Sequence, residues 1–278
     1  MRERDVTRAM QTQTQRMLQN DCTLSTGRLR YWEGGPTQAP VVLLLHSGFS
    51  DAAFSWSPIW EDLAATYRVI APDMPGFGAS QAPDEMSLAT LAGALRELLG
   101  QLGVARATVV GNSFGVSAAI GLADLYPECV ERLVLVNGTA LPSAPGFLKR
   151  AATIPVFDRV ISAMFFRAGF GHKAVQRLFP HASAEELSSL YARVDREGHA
   201  NFKTVKGCVL NSTVRTPSVK AAVTLLWGAD DRFAPLRVAR DLSKTLPGAE
   251  LVAIERAGHL PQRDQPREFV ARLLLAMP

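Results

Sequence analysis

Cysteine is scarce: Cys22, Cys129 and Cys208 are the three in 278 residues. They sit at neither metal spacing nor in a disulfide framework, and three thiols cannot all pair within one chain. A reduced, cytoplasmic setting is therefore expected. No run reaches the ~18 consecutive apolar residues of a membrane helix. The charged opening Met1-Arg2-Glu3-Arg4-Asp5 leads into Gln- and Thr-rich sequence, unlike the apolar segment of a signal peptide. No membrane partner is expected on these grounds. No basic run with interleaved aromatics occurs, so nucleic-acid binding has no footprint. Internal repeats and low-complexity tracts are also lacking. No two His, Asp or Glu residues fall at ligand spacing beside the serine, aspartate and histidine motifs, and neither a metal nor another cofactor is expected.

What is present is an ordinary globular composition, 47% hydrophobic and 20% charged, with material for a substantial core. Residues 1–21 carry no convincing core pattern and are expected to form an N-terminal extension, a possible contact arm in a homo-oligomer. Short strands are expected at Cys22–Leu24 and Leu29–Trp32. Buried-strand runs follow at Val41–His46, Tyr67–Ala71, Ala107–Gly111, Leu133–Asn137, Thr224–Trp227 and Glu250–Ile254. Continuous apolar runs suit strands covered on both faces, as in a parallel sheet. Helical patterns lie between them at Ile59–Thr66, Leu88–Leu102, Phe114–Tyr126, Leu236–Leu246 and Pro266–Leu275. This alternation predicts a doubly wound α/β sheet.

One segment breaks the alternation. From 138 to 216 there is no strand run, only helical stretches such as Phe157–Phe166, Lys173–Phe179 and Ala184–Val194. Nearly 80 residues exceed any ordinary αβ connection. The expectation is a helical lid (138–216) inserted after the sixth strand of a core formed by 22–137 and 217–278. The lid carries 11 Lys/Arg against 5 Asp/Glu, whereas the rest of the chain is slightly acidic. A solvated helical surface accounts for this, and so does an electropositive lid that attracts anionic substrates.

The chemistry is concentrated in Gly111-Asn112-Ser113-Phe114-Gly115, between a strand run and a helical one. A serine flanked by glycines at such a junction sits on a tight turn, because a Cβ at either glycine would strike the neighbouring strand or helix. A serine hydroxyl attacks only when a base takes its proton, and the base is a histidine held by a carboxylate. His259, in the loop after the last strand, is placed for this task. His172, His181 and His199 fall in the lid, and His46 is expected to organise the loop it opens. The carboxylate is Asp230 or Asp231, in the loop after the penultimate strand. The oxyanion donors are expected to be the N–H of Phe114 and one from Gly48 or Phe49.

Five blocks carry a resemblance: Leu45-His46-Ser47-Gly48, Pro72-Asp73-Met74-Pro75-Gly76-Phe77-Gly78-Ala79-Ser80, Gly111 to Gly115, Gly228 to Pro235, and Gly258-His259. Over about residues 22–278 the chain resembles an α/β-hydrolase fold protein with a helical lid. The resemblance implies the triad Ser113, Asp231 and His259, since the acid usually stands three residues after the glycine and four before the proline. It gives Asp73 a structural part. Asn137 stands where some such enzymes place the acid, but an amide cannot compensate an imidazolium charge.

The elbow's Asn112 resembles that of meta-cleavage-product C–C hydrolases, while Leu260 and Ser47 depart from their pattern, and Gly258-His259-Leu260-Pro261-Gln262 resembles general esterases. Asn112 and Leu260 are expected to contact a small-molecule substrate. Carboxyl-ester hydrolysis ranks first, C–C hydrolysis second, and a cofactor-independent lyase, oxygenase or peroxidase third. Phe147, Phe157, Met164, Phe165, Phe166, Phe170 and Phe179 could form the lid's own core, and their number suggests an apolar or aromatic acyl group beneath it.

Overall fold

A computed structural model describes residues 16–140, 144–212, 219–246 and 248–277. Eight strands form one sheet: β1 (Leu18–Leu24), β2 (Gly27–Gly34), β3 (Val41–Leu45), β4 (Arg68–Pro72), β5 (Ala107–Asn112), β6 (Val130–Val136), β7 (Ala222–Gly228) and β8 (Glu250–Ile254). Their order is β1-β2-β4-β3-β5-β6-β7-β8. The β1–β2 and β2–β4 pairs are antiparallel and the remaining pairs parallel. The central strands are buried almost throughout, as their unbroken apolar runs require.

Helices cover both faces. On one side α3 (Leu88–Gln101) and α4 (Phe114–Leu125) bury Leu91, Leu95, Val116 and Ile120 against the sheet. On the other, α1 (Ala52–Trp56) and α2 (Trp60–Ala64) bury Trp56 and Leu63. They share that face with the C-terminal helix, which contributes Phe269 and Leu273. Between β6 and β7 lie α5 (Gly146–Ala151), α6 (Pro155–Gly169), α7 (His172–Leu178) and α8 (Ala184–Asn211). A third apolar cluster, including Phe49, Val175, Leu178, Leu190 and Leu260, seats this helical insertion on the sheet's C-terminal edge. After β7 come α9 (Leu236–Thr245), α10 (Pro261–Asp264) and α11 (Pro266–Leu275).

Two local expectations need correction. The first strand begins at Leu18, inside the stretch assigned to the extension, and the rest of that extension up to residue 15 lies outside the described residues. As an exposed edge strand, β1 has no apolar run to reveal it. Helix α8 continues to Asn211 instead of stopping near Val194. Its second half looks too polar for a core helix because Gly198, Asn201 and Thr204 are buried through close approach and hydrogen bonding. Helices α1 and α10 are one-turn elements too short to show a period. The start of the expected lid at 138 falls in described sequence, but its end at 216 does not.

Candidate active site

Ser113 joins β5 to α4 with φ +56° and ψ −112°, a backbone conformation that is strained for a residue with a side chain. Neighbouring backbone imposes the turn. A Cβ on Gly111 would strike the carbonyl of Gly115, and one on Gly115 would strike the carbonyl of Leu45. The Ser113 N–H donates to Val136 O at 2.9 Å, and its carbonyl accepts from Val116 N at 3.0 Å. Ser113 borders a cavity at the start of α4.

His259 reaches the same point from the loop after β8. Its Nε2 lies 2.8 Å from Ser113 Oγ and its Nδ1 lies 2.7 Å from Asp231 Oδ2. An ionised carboxylate only accepts, so Nδ1–H donates to Asp231 and Nε2 is free to accept from the serine. The backbone N–H of His259 donates to Leu178 O at 3.1 Å, which ties the histidine to the insertion. The edge of the Phe233 ring packs against the imidazole at a centroid distance of 5.1 Å.

Asp231 is buried and accepts from four donors. Oδ1 takes Phe233 N at 2.8 Å and Ala234 N at 2.9 Å; Oδ2 takes the histidine and Asn137 Nδ2 at 2.6 Å. Asp230 points elsewhere, to His181 Nε2 at 2.9 Å. The structure thus brings Asp231, and not Asp230, to His259.

Asn137 is a residue whose part the sequence reasoning missed. At φ +46° on the end of β6, its Oδ1 accepts from Gly228 N at 2.9 Å, and its Nδ2 donates to Asp231 and, at 3.3 Å, to Gly258 O. It ties together the loops that carry Asp231 and His259. Its position at the strand end points to a substitute acid and gives no sign of these cross-loop hydrogen bonds.

Gly48, Phe49 and Phe114 all border the cavity beside Ser113. A Cβ on Gly48 would lie 3.1 Å from the Phe114 Cβ, so the two backbones face each other closely. The expected positions of Asn112 and Leu260 are corrected. Asn112 is completely buried behind the elbow, where Nδ2 donates to Val136 O at 3.1 Å and His259 O at 3.0 Å. Leu260 is buried in the cluster beneath the insertion. Neither residue borders the cavity; both brace the loops that do.

The remaining histidines also have places. His46 is buried, accepts from Met74 N through Nε2 at 2.9 Å and donates from Nδ1 to Ser47 O at 2.8 Å. Burial pushes its pKa below the ordinary histidine value. Asp73 accepts from Ala52 N and Ala79 N, each at 3.0 Å, and its burial raises the carboxyl pKa. In the insertion, His172 stacks on Tyr191 and His199 on Phe166. The Cys208 thiol is pushed up to about 12 by burial and is inert. Among the described residues, no group of three His, Cys, Asp or Glu could hold a metal ion, and no helix is long and apolar enough to cross a membrane.

The cavity has a volume of about 440 Å³ and is roofed by α5, α6 and α8. Its lining is overwhelmingly apolar, with Phe165, Phe170, Phe202, Val205 and Leu210 among the contributors. One corner is polar: Lys206 Nζ lies 2.9 Å from each oxygen of Asp158 and 3.1 Å from Ser162 Oγ. Of the seven large apolar side chains expected to pack in the insertion, Phe170 and Phe179 are buried and Phe166 is partly buried. Phe147, Phe157, Met164 and Phe165 are exposed.

A family model described as the alpha/beta hydrolase family matches residues 42–273. A 2-hydroxy-6-oxononadienedioate/2-hydroxy-6-oxononatrienedioate hydrolase of Paraburkholderia phymatum is 31% identical, over 89% of this chain and 90% of that protein. Among solved structures, a 2-hydroxy-6-oxo-6-phenylhexa-2,4-dienoate hydrolase of Rhodococcus sp. strain RHA1 superposes with a TM-score of 0.72 at 23% identity. It covers 94% of this chain and 98% of its own. A thermophilic esterase of Thermogutta terrifontis gives a TM-score of 0.72 at 23% identity, covering 94% and 97%. At these identities the two structures attest the fold alone.

Proposed function

Because the chain belongs to the alpha/beta hydrolase family, we propose that it is a serine hydrolase of carboxylic esters with an apolar or aromatic acyl group. The observation that carries this reading is the unbroken relay from Ser113 through His259 to Asp231, opening on an apolar cavity of about 440 Å³. Ser113 Oγ attacks the ester carbonyl as its proton passes to His259 Nε2. Asp231 holds the imidazole in the required tautomer and stabilises the imidazolium. The N–H groups of Phe114 and of Gly48 or Phe49 meet the developing oxyanion, each donor contributing about 3–4 kcal/mol. His259 then protonates the leaving alcohol and activates the water that releases the acyl group.

C–C bond hydrolysis is the second reading, favoured by the name of the P. phymatum relative. Esters rank ahead of it because Lys206 is the sole Lys or Arg bordering the cavity among the described residues, and Asp158 already engages it. An anionic dienol acid would meet no unpaired cation there. A panel of p-nitrophenyl esters of graded acyl size, assayed beside a dienol C–C substrate, tests the order. Turnover of the esters supports it, and turnover of the dienol substrate alone reverses it.

A further inference from the structure

Helix α6 is apolar on the side where a surface helix is normally polar. Asp158, Ile161, Ser162, Phe165 and Gly169 share the face that lines the cavity. At 100° per residue, Val156, Val160 and Met164 fall on the far side with Phe157 at its edge, and Val156, Phe157, Val160 and Met164 are 71%, 57%, 64% and 60% exposed. Phe147 of α5 and Ile154, just before α6, are also exposed, at 75% and 48%. Six large apolar side chains exposed within the stretch 147–164 mark a contact surface.

The charges around the patch indicate what it contacts. Between Ala144 and Ser183 the sequence holds six Lys/Arg and a single carboxylate, Asp158. Asp158 faces inward and is engaged by Lys206. Arg159 borders the outer stripe along one side, Arg167 ends it beyond Met164, and Arg150 precedes it on α5; none of the three has a carboxylate partner among the described residues. An apolar stripe edged by arginines is the pattern of a helix that lies in a membrane interface, with its apolar side in the acyl boundary and its cations among anionic headgroups. A second copy seated symmetrically on this face would bring arginines together with no acidic counterpart from the same stretch.

We propose that the outer face of α5 and α6 docks on an anionic phospholipid surface. Docking places the roof of the cavity against the lipid, and Phe165, both exposed and lining the cavity, stands at the boundary between them. The sequence expectation of no membrane partner rested on the lack of a spanning segment, which interfacial docking does not need. The inference does not depend on the ester reading, since it concerns binding and not turnover.

The test is co-sedimentation of the full chain with vesicles of phosphatidylglycerol and phosphatidylcholine, or of phosphatidylcholine alone. Binding to the anionic vesicles is expected, weakened at least tenfold by the pair Val160→Asp and Met164→Asp. Arg159→Glu with Arg167→Glu should weaken it by about fivefold or more per arginine. Circular dichroism and hydrolysis of a short soluble ester should be unchanged in both variants, since none of the four residues borders the cavity. No difference between wild type and variants on anionic vesicles overturns the proposal. So does a lipid-independent dimer that the apolar pair of substitutions dissociates, which would assign the face to a second copy.

Discussion

Replacing Asp231 by asparagine is the sharpest perturbation the site offers. The substitution keeps the shape and removes the charge, and the hydrogen bonds around the carboxylate dictate the consequence. Oδ1 accepts two backbone N–H groups, from Phe233 and Ala234, which cannot turn into acceptors. The amide oxygen must therefore stay on that side, and its NH2 faces Asn137 Nδ2 and His259 Nδ1. Asn137 cannot flip to accept, because its oxygen is held by Gly228 N. His259 is then driven to accept at Nδ1, which puts its proton on Nε2 and leaves nothing to receive the proton of Ser113. A tautomer error of this kind lowers kcat by about 10,000-fold, or about 5 kcal/mol of transition-state stabilisation. The assay is steady-state hydrolysis of the best p-nitrophenyl ester of the panel, with near-native circular dichroism as the control. Asp230→Asn, which disturbs only the exposed contact to His181, should stay within about twofold of wild type. Retention of a tenth of the activity by Asp231→Asn, or an equal loss in Asp230→Asn, would refute the reasoning.

The same geometry sets other outcomes. Gly115→Ala drives a Cβ into the Leu45 carbonyl, and unyielding backbone puts the cost at the upper end of about 1–3 kcal/mol; differential scanning calorimetry should show Tm lowered by about 5–10 °C. His46 gives stability a pH dependence that an exposed histidine does not. Its folded pKa is depressed by burial, so the unfolded chain binds the proton first, and stability is present above about pH 6.5 and lost as pH falls below it. Urea unfolding at pH 7 and pH 5.5 should show that loss, and a His46→Gln variant should lack it. Asp158→Ala frees Lys206 within the cavity, and kcat/KM for an ester bearing a terminal carboxylate should rise about fivefold relative to its neutral analogue, the value of one partly exposed ion pair.

How much of this was legible in the sequence depends on how each feature is encoded. The strands β3 to β7 and the helices α3, α4 and α11 announce themselves through apolar runs and periods, because they bury whole faces; β8, at the sheet edge, keeps the apolar run although only Ile254 is buried. The elbow was legible because Gly111 and Gly115 leave no room for a side chain. His259 was legible through its place after the last strand; chain order left Asp230 and Asp231 both open, and the resemblance selected Asp231. Asn137 was not, because its service to the site is a hydrogen bond across loops that are distant in sequence, and an amide in a strand end carries no distinctive pattern. Asn112 and Leu260 were misplaced for a related reason: adjacency to Ser113 and His259 in sequence suggests contact with substrate, yet alternate residues of a turn point to opposite sides. The outer face of α6 was hidden because a sequence reports apolar residues without saying which side faces water, so Phe157 and Met164 looked like core.

Ser113 as the activated nucleophile is the central claim. Intact-mass and peptide mass spectrometry after treatment with a fluorophosphonate test it most directly. The expected result is one adduct per chain, on Ser113, absent from Ser113→Ala and slowed by several orders of magnitude in His259→Ala. An adduct that persists undiminished in Ser113→Ala, or a wild-type chain that takes none while it still turns over esters, would contradict it.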